Sequence, residues 1–272
     1  MKQFLSLGAG VQSSAVLLMS IRGELPKLDA ALFADTGYEP PAVYTWLKFL
    51  CQAADDAGIR IETVRWRNIR QDALDNQVPG NKTPGKSTWG SMPFYVLQPD
   101  GKKGMVRRQC TERYKIRPLE RKIRDLLGIK PRSRGPKEIV AEQWFGISID
   151  EAQRMRTSDK RWKVYRYPLI DMGMTRDDCK DWLQRNGYPN VPRSACVACP
   201  FRRNDEWRWL RDNDPDSFEE ACSFDEAVRH MSGMRGECFV HDSRKPLREV
   251  NLSVNEIGDG GWGNECSGGC GL

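Results

Sequence analysis

The sequence predicts an α/β protein with a mostly parallel sheet flanked by helices, and a smaller helical region toward the end of the chain. Three observations predict it: strand-like and helix-like segments alternate up to Trp66, a glycine-rich turn follows the first strand, and an acidic residue follows the second. Parallel strands require crossover connections, which alternating helices supply. The chain has 272 residues, 39% of them apolar, which is enough to bury a sizeable core.

The predicted elements follow from apolar periodicity, from proline at a helix start and from glycine-rich breaks. They are a strand at 4–7, a helix at 13–21, a strand at 29–34, a helix at 40–57 and a strand at 60–66, followed by a long loop at 77–104. A helix at 113–127, strands at 138–145 and 164–169, a helix at 175–186 and two helices near Glu206 and Asp216 complete the series. We expect an α/β domain over 1–170 and a helical, cysteine-rich region with a flexible tail over 171–272.

Composition and charge restrict the class of protein. No apolar run approaches the ~18 residues of a membrane span, and the first five residues lead straight into a strand, so we expect a cytoplasmic protein with no membrane partner. Nine cysteines in a reducing compartment favour metal ligation or reactive thiols over disulfides. Between residues 101 and 140 there are fourteen Lys and Arg but only four Asp and Glu, which favours a polyanionic partner or else a solvated helix face.

A phosphate-binding turn is predicted at Gly8–Ser14, between the first strand and its helix. Glycines let the backbone curl around an anion, and the helix N-terminus adds N–H groups and the positive end of its dipole. A dinucleotide-binding loop is disfavoured because Ser13 occupies the third glycine position of Gly-x-Gly-x-x-Gly. A Walker-type loop is excluded because no Gly-Lys-Ser/Thr is present, and an ordinary strand-to-helix turn is the remaining alternative.

The second predicted strand ends in Asp35-Thr36-Gly37. Open α/β sheets bind ligands at the carboxyl ends of their strands, so Asp35 is expected beside the glycine-rich turn, where it could hold a ribose hydroxyl or Mg²⁺. Alternatively, Asp35 would cap the helix that follows.

The turn resembles the PP-loop of ATP pyrophosphatases, whose pattern is Ser-Gly-Gly-x-Asp-Ser-Ser/Thr. Gly8 stands in place of the leading serine, and Gln12 in place of the aspartate. The second change is similar to the phosphoadenosine phosphosulfate (PAPS) reductase family, whose loop also lacks the acid. This difference puts metal-assisted cleavage of ATP by the turn in doubt.

Two further segments carry the resemblance, Asp35–Tyr38 and Gly146–Arg154. In the family, the glutamate and arginine matched by Glu151 and Arg154 face the nucleotide, although the segment also suits a helix start. The resemblance implies a Rossmann-like PP-loop fold whose first domain binds ATP, or PAPS or its 3′-dephospho relative (APS), with Mg²⁺ as an optional ion. The implied nucleotide-binding residues are Ser6, Gly8, Gly10, Gln12, Ser13, Ser14, Asp35, Gly37, Gly146 and Glu151, and Asp35 and Arg154 are implied to be catalytic.

A cysteine pattern predicts a thiolate metal site. Cys196 and Cys199 form a Cys-x-x-Cys pair before a proline, and Cys110 lies well upstream. A tight turn with two thiolates suits one metal, and spacing alone leaves zinc and iron–sulfur open. The segment that begins at Cys110 resembles the Cys-Cys-x-x-x-Lys-Val-x-Pro-Leu segment of APS reductases, with Thr111 replacing the second cysteine.

That resemblance implies a [4Fe–4S] cluster bound by Cys110, Cys196 and Cys199. The replacement at position 111 removes one expected ligand, so either another cysteine supplies it or one iron stays open. The candidates for a fourth ligand are Cys238, Cys266 and Cys270.

The glycine-rich tail contains Glu265-Cys266, which resembles the Glu-Cys-Gly-Leu-His tail of PAPS reductases. The cysteine of that tail is the nucleophile, whereas its following glycine and terminal histidine are missing here. Many glycines suit a thiol that swings into a site, and a frayed terminus is the alternative. We expect Cys266 to be the catalytic nucleophile.

Three functions are compatible with these features. The leading hypothesis is adenosine-nucleotide-dependent sulfur transfer, in which ATP activates a nucleic acid, tRNA or DNA, bound through the basic region 102–137, for thiolation that uses the [4Fe–4S] cluster. The alternative is a sulfonucleotide reductase that releases sulfite from PAPS or APS. A protein that donates sulfur or electrons is an expected partner. The third possible function is that of a non-catalytic nucleic-acid-binding module stabilised by a structural zinc ion.

Overall fold

The computed structural model describes residues 1–75 and 92–253, and the strands and helices named here lie within those two ranges. Its strands are β1 (Lys2–Leu7), β2 (Ala30–Ala34), β3 (Arg60–Val64), β4 (Tyr95–Leu97), β5 (Lys103–Met105), β6 (Ala141–Phe145), β7 (Lys163–Arg166) and β8 (Glu237–Phe239). Its α-helices are α1 (Val11–Ile21), α2 (Pro41–Asp56), α3 (Ile69–Leu74), α4 (Arg117–Leu126), α5 (Pro168–Asp171), α6 (Arg176–Arg185), α7 (Asn204–Asn213) and α8 (Pro215–Ala227). A π-helical turn at Thr111–Ile116 precedes α4, and 3-10 turns occupy Ile149–Arg154 and Leu247–Glu249. None of the helices in this part of the chain has the length and apolar character needed to cross a membrane.

The main sheet has five strands in the order β3-β2-β1-β6-β7, and every neighbouring pair is parallel. Helices α1, α2 and α6 cover one face and α4 covers the other, which confirms the predicted α/β class with a Rossmann-like arrangement. The strand order reverses at β1, which has β2 on one side and β6 on the other. Open parallel sheets bind ligands at such a reversal, outside the carboxyl ends of the strands.

The sheet buries two apolar layers because successive side chains of a strand point to opposite faces. Leu5 and Leu7 pack with α1, α2 and α6, whereas Phe4 packs with α4. Trp182 on α6 belongs to the first layer, which therefore continues beyond Asp171, near the expected domain boundary. Where the chain divides into domains stays a prediction.

A second core contains a three-stranded antiparallel sheet in the order β5-β4-β8. Its buried members include Phe94, Trp207 and Phe224. The prediction of a continuous loop over 77–104 is therefore wrong at β4 and at the start of β5. Strands of three residues carry too little periodicity to be recognised locally, and one of the two neighbours of β4 is β8, far along the chain.

One buried carboxylate links parts of this second core. Asp225 on α8 is fully buried and accepts hydrogen bonds from the backbone N–H groups of Val240 (2.7 Å) and Leu247 (3.2 Å). Arg229 donates to the same carboxylate. The segment after β8 is thereby bound to α8.

We predict that Asp225→Ala destabilises the fold by about 3–5 kcal/mol, because it leaves a partly buried guanidinium and two buried N–H groups without their acceptor. Chemical denaturation followed by circular dichroism measures the free energy of unfolding. The matched control is Asp181→Ala at an exposed position of α6, for which a change below about 0.5 kcal/mol is expected. A loss below about 1 kcal/mol for Asp225→Ala would show that the core does not depend on this link.

Candidate functional site

The glycine-rich turn connects β1 to α1 where the strand order of the sheet reverses. Ala9 has a φ of 56°, a left-handed conformation that residues other than glycine seldom adopt, and Gly8 N donates to the Ser13 hydroxyl at 3.1 Å. Gly10 is the N-cap of α1, an eleven-residue helix whose first N–H groups and positive dipole end lie at the carboxyl edge of the sheet. The backbone of this turn is therefore suited to an anion.

Close contacts limit the space for a side chain at two positions around this turn. A Cβ atom on Gly146, directly after β6, would lie 2.6 Å from the backbone nitrogen of Ser13, too close without backbone movement. A Cβ atom on Gly10 would lie 3.1 Å from the Cβ atom of Ser194. The end of β6 and the segment before the Cys-x-x-Cys pair thus both pack directly on the turn.

Gln12 belongs to a buried polar network behind the turn. Its amide nitrogen donates to Ser148 Oγ (3.2 Å) and Glu151 Oε2 (3.0 Å), and its amide oxygen accepts from Arg176 Nη1 (3.2 Å). Gln12 is 5% exposed and Glu151 is fully buried. An acid at position 12 would place a second carboxylate against Glu151. Repulsion between the two carboxylates explains why a neutral amide suits this position.

Glu151 and Arg154, expected to face the nucleotide, contact each other: Arg154 Nη1 lies 2.8 Å from Glu151 Oε1, and both side chains are buried. Ser6 Oγ accepts a hydrogen bond from a glutamine of β6 at 2.8 Å, and Ser14 Oγ accepts one from the indole of Trp46 at 2.9 Å. These contacts support the turn from behind. Direct contact of these residues with a nucleotide stays a prediction.

Asp35 lies one residue past the end of β2, and three residues hold its carboxylate. Oδ1 accepts from the Gly37 backbone N–H at 2.7 Å and from the Tyr44 hydroxyl at 2.9 Å. Oδ2 accepts from Nε of Arg65 at 3.0 Å and also from Nη2 of that residue. Burial, followed by the bond to Asp35, raises the pKa of Tyr44, so this phenol stays a donor. Helix α2 has Pro40 as its N-cap, so Asp35 does not cap it.

The Cys-x-x-Cys pair lies at the same edge of the sheet. Cys196 Sγ is 3.4 Å from the hydroxyl of Thr36, in the segment after β2, and Val197 N donates to Tyr38 O at 2.8 Å. Cys199 N donates to Cys196 O at 3.2 Å, which closes the turn of the pair. The Cys196 thiol therefore lies in contact with the segment that follows β2.

A buried guanidinium stabilises this thiol turn. Arg202 donates to the backbone carbonyls of residues 195–197 over distances of 3.1 to 3.3 Å. Burial lowers the pKa of Arg202, whereas the nearby thiols of Cys199 and Cys196 act in the opposite direction. Arg202 is not among the predicted site residues, although its position shortly after the pair, in Cys-Pro-Phe-Arg, is a signal in the sequence.

A buried ion pair lies beside Cys196. Lys115 Nζ is 3.4 Å from Glu39 Oε1, and Thr36 donates to the same oxygen at 3.1 Å. Lys115 belongs to the π-helical turn that follows Cys110, a form of helix often found at functional sites. Lys115 is therefore connected to Cys196 through Glu39 and Thr36.

The predicted metal ligands Cys110, Cys196 and Cys199 pack against one apolar cluster. Within residues 1–75 and 92–253, however, no three His, Cys, Asp or Glu side chains form a group able to hold a metal ion. The described residues do not by themselves complete a cluster site, and the iron–sulfur assignment stays a prediction.

Of the three candidate fourth ligands, Cys238 lies on β8 in the second core, where burial raises its pKa to about 11. A thiol in that state packs as a small apolar side chain. Cys266, the expected nucleophile, and Cys270 lie outside the described residues.

The basic region 102–137 does not form one surface around the turn. Its exposed members are Lys102, Lys103, Arg107, Arg117, Arg121, Lys130, Arg132, Arg134 and Lys137. Others serve internal contacts, such as Lys122, which is paired with Glu62 at 3.0 Å. Residues 130–137 precede β6 and therefore lie toward the amino edge of the sheet, opposite the turn.

The strand order and the flanking helices define an α/β protein of Rossmann-like fold. No family model matches the chain, and no curated protein matches its sequence. Ten solved chains match its structure. One is the crystal structure of PAPS reductase from Candida auris in a phosphate complex, with a TM-score of 0.42 and 16% identity over 71% of this chain and 75% of that chain.

We predict that Gln12→Glu destabilises the protein by about 2–3 kcal/mol, because it places two carboxylates in contact in a buried network. Adding Glu151→Gln should restore part of the loss, with a coupling energy of about 1–2 kcal/mol in a double-mutant cycle measured by chemical denaturation.

The matched control is Gln184→Glu at an exposed position of α6, expected to change the free energy of unfolding by less than about 0.5 kcal/mol. Additive effects of Gln12→Glu and Glu151→Gln would contradict the network.

Proposed function

We propose that this protein is an adenosine-nucleotide-dependent sulfur-transfer enzyme. The observation that carries the proposal is that an anion-binding turn and a thiol pair lie at one edge of the sheet. Ser194 packs on Gly10 of the turn, and two residues later the Cys196 thiol lies 3.4 Å from Thr36. A phosphate at the turn and a sulfur at the pair would be close neighbours, as group transfer requires.

In the thiolation form of this function, an oxygen of a nucleic acid, tRNA or DNA, attacks the α-phosphate of ATP and pyrophosphate leaves. A sulfur nucleophile then attacks the carbon that bears the adenylated oxygen, the C–O bond breaks and AMP leaves. The turn would hold the phosphates, and the dipole of α1 would offset their charge. Exposed lysines and arginines of 102–121 would bind the nucleic-acid backbone, whereas residues 130–137 lie toward the opposite edge of the sheet.

A second candidate is a sulfonucleotide reductase, which the electrostatics of the turn favour. Mg²⁺-assisted cleavage of ATP needs oxygen ligands near the phosphates, but Gln12 is neutral and both carboxylate oxygens of Asp35 already accept hydrogen bonds. In this reaction a cysteine thiolate attacks the sulfur of PAPS or APS, the bond from sulfur to the phosphate oxygen breaks, and the nucleotide leaves. A dithiol donor then attacks the cysteine sulfur and sulfite leaves, which ends in a disulfide on the donor.

Parallel anaerobic assays for pyrophosphate release from ATP and for sulfite release from PAPS and APS separate the two reactions. We predict that Cys196→Ser lowers the active reaction by about 100-fold or more, because the thiol pair proposed to hold the transferred sulfur loses one of its two members. The nucleotide Kd should change by less than about threefold, since the substitution leaves the backbone of the turn, which would hold the phosphates, unchanged.

The control is Cys51→Ser on α2, a half-buried cysteine that packs in the first apolar layer, for which unchanged turnover is expected. Cys266→Ser in the same assays tests the expected nucleophile of the tail. Full turnover of Cys196→Ser would contradict the role of the pair.

The finer proposal is that a [4Fe–4S] cluster is held by Cys110, Cys196 and Cys199, with the site completed from outside the described residues. When bound, such a cluster would supply sulfide to the transfer reaction. We predict that anaerobically purified protein contains iron and acid-labile sulfide, and that serine at any of the three positions removes the visible absorption, whereas Cys51→Ser keeps it.

Stoichiometric zinc without iron would contradict the cluster. Zinc together with no binding of adenosine nucleotides would instead support the non-catalytic nucleic-acid-binding module, because that protein needs only a structural metal.

A further inference from the structure

We infer that the loop of residues 130–137 (the basic loop), which precedes β6, binds the phosphate backbone of a nucleic acid at the edge of the sheet opposite the glycine-rich turn. The inference goes beyond the proposed function, because it holds whichever sulfur reaction the carboxyl edge performs. Its basis is a group of exposed cations that the fold fixes in place and leaves without carboxylate partners.

The basic loop carries four cations and no acid. Its sequence is Lys-Pro-Arg-Ser-Arg-Gly-Pro-Lys, and all four cationic residues are exposed. They are Lys130, Arg132, Arg134 and Lys137. Within residues 1–75 and 92–253, none of the four forms an ion pair with a carboxylate, whereas the exposed Arg117 lies 2.8 Å from Glu112. The charge of the loop is therefore not offset by internal pairing and attracts a polyanion.

Arg132 occupies a backbone conformation that favours glycine. Its φ is 62°, in the left-handed region. Pro131 precedes it, and Ser133 N donates to Lys130 O at 3.2 Å, which together define a type II turn. The third position of such a turn is ordinarily glycine or asparagine, so an arginine there costs conformational free energy. A strained residue of this kind is a signal of function, here a guanidinium on an exposed turn.

The basic loop is fixed by contacts on its inner side. Arg124 of α4 donates through Nη2 to the carbonyl oxygens of Lys130 (3.0 Å) and Ser133 (2.8 Å). Gly135 packs on the fully buried indole of Trp162, since a Cβ atom on this glycine would lie 2.6 Å from Cδ1 of that ring. A loop held in this way presents its cations with little entropy left to lose when a ligand binds.

A fifth cation joins the loop from the segment before β7. Arg161 is exposed, and its Nη2 donates to Gly135 O at 2.8 Å. Of the acids in the adjoining segments, Asp159 lies 2.7 Å from Nζ of Lys160, so its charge is offset. Glu138 directly follows the loop and is exposed. Five cations against this one acid leave a positive surface.

The basic loop and the glycine-rich turn lie at opposite edges of the sheet. Residues 130–137 precede β6 and Arg161 precedes β7, whereas the turn follows β1. These strands are parallel, so their starts share the amino edge. The six residues of β1 span roughly 20 Å at about 3.3 Å per residue. The loop is therefore too far away to contact the phosphates of a nucleotide at the turn, and a longer polyanion is the partner that it fits.

The composition of the loop favours a nucleic-acid backbone over an anionic membrane. Segments that bind at a membrane surface bury aromatic or aliphatic side chains beside their cations. Residues 130–137 contain no aromatic residue and no Leu, Ile, Val or Met. Arginine forks suit phosphate oxygens, and phosphate contacts carry no base sequence. We therefore expect binding that is independent of sequence and weakened by salt.

Fluorescence anisotropy of the full chain with labelled nucleic acids, in the absence of any nucleotide, tests the inference. The probes are two DNA duplexes of about 20 base pairs with unrelated sequences, and a single-stranded RNA of about 20 nucleotides, each at about 50 to about 200 mM KCl. The two duplexes should bind with Kd values within about twofold of each other. Their log K should fall with log salt at a slope of about −3, as for three to four phosphate contacts. Comparison with the RNA shows which source of phosphate binds more tightly.

Arg132→Gly should weaken duplex binding by about threefold or more at low salt and make the salt slope shallower by about 1, because one phosphate contact is lost. The Tm should not fall, since glycine suits the left-handed position. Loss of affinity without loss of stability separates a binding role from a structural one. Lys137→Ala should make the slope shallower by about 1 on its own, which keeps the test valid if Arg132→Gly unfolds.

Arg235→Gly is the matched control. Arg235 is exposed in the loop before β8 and forms no ion pair within the part of the chain that the structure describes. The substitution removes the same charge from the second core, so the Kd should stay within about twofold of the wild-type value and the salt slope should be unchanged.

Absence of binding to the duplexes and the RNA at the lowest salt would overturn the inference. So would an unchanged Kd and slope in Arg132→Gly, which would place nucleic-acid binding elsewhere, or an equal loss in Arg235→Gly. Binding to vesicles of phosphatidylserine and phosphatidylcholine without binding to nucleic acid would also overturn it and would indicate a membrane surface. None of these outcomes depends on the sulfur-transfer assays, because no nucleotide is present.

Discussion

The backbone atoms of Gly146 and Ser13 approach so closely that no side chain fits between them, and the arrangement of the site depends on this contact. It joins the end of β6 to the first turn of α1 at the point where the strand order reverses. The segment after Gly146 then carries Ser148 and Glu151 against Gln12 from behind. A larger residue at 146 would separate these parts, because a protein core has no empty space to absorb the displacement.

Buried charges around the site are matched by partners that lie on different elements. Glu39 pairs with Lys115, and Asp35 pairs with Arg65. Arg202 instead bonds to three backbone carbonyls of the thiol turn. A buried charge is tolerated only when paired or hydrogen-bonded, so each of these contacts ties one segment to another. The position of the thiol pair is consequently set by polar contacts to the segment after β2 as well as by apolar packing.

Several features of the fold were predictable because their causes are local. The helix at 175–186 is found as α6, where Thr175 and Asp178 form a capping box that marks the start. Strand β3 ends at Val64, two residues earlier than expected, because Arg65 leaves the sheet to bind Asp35. The small sheet was missed since β4 pairs with β8, which lies far along the chain, as well as with β5.

The sequence by itself determined the α/β class, the glycine-rich turn and the place of Asp35 at the end of a strand, because periodicity and glycine placement depend on neighbours in the chain. Tertiary structure alone decided what those residues contact. In the folded chain, Gln12 donates a hydrogen bond to Glu151, and the carboxylate of Asp35 accepts hydrogen bonds from Tyr44 and Arg65. Cys196 lies beside Thr36. Partners separated by up to 160 residues leave no local pattern, since their contact depends on how the whole sheet is assembled.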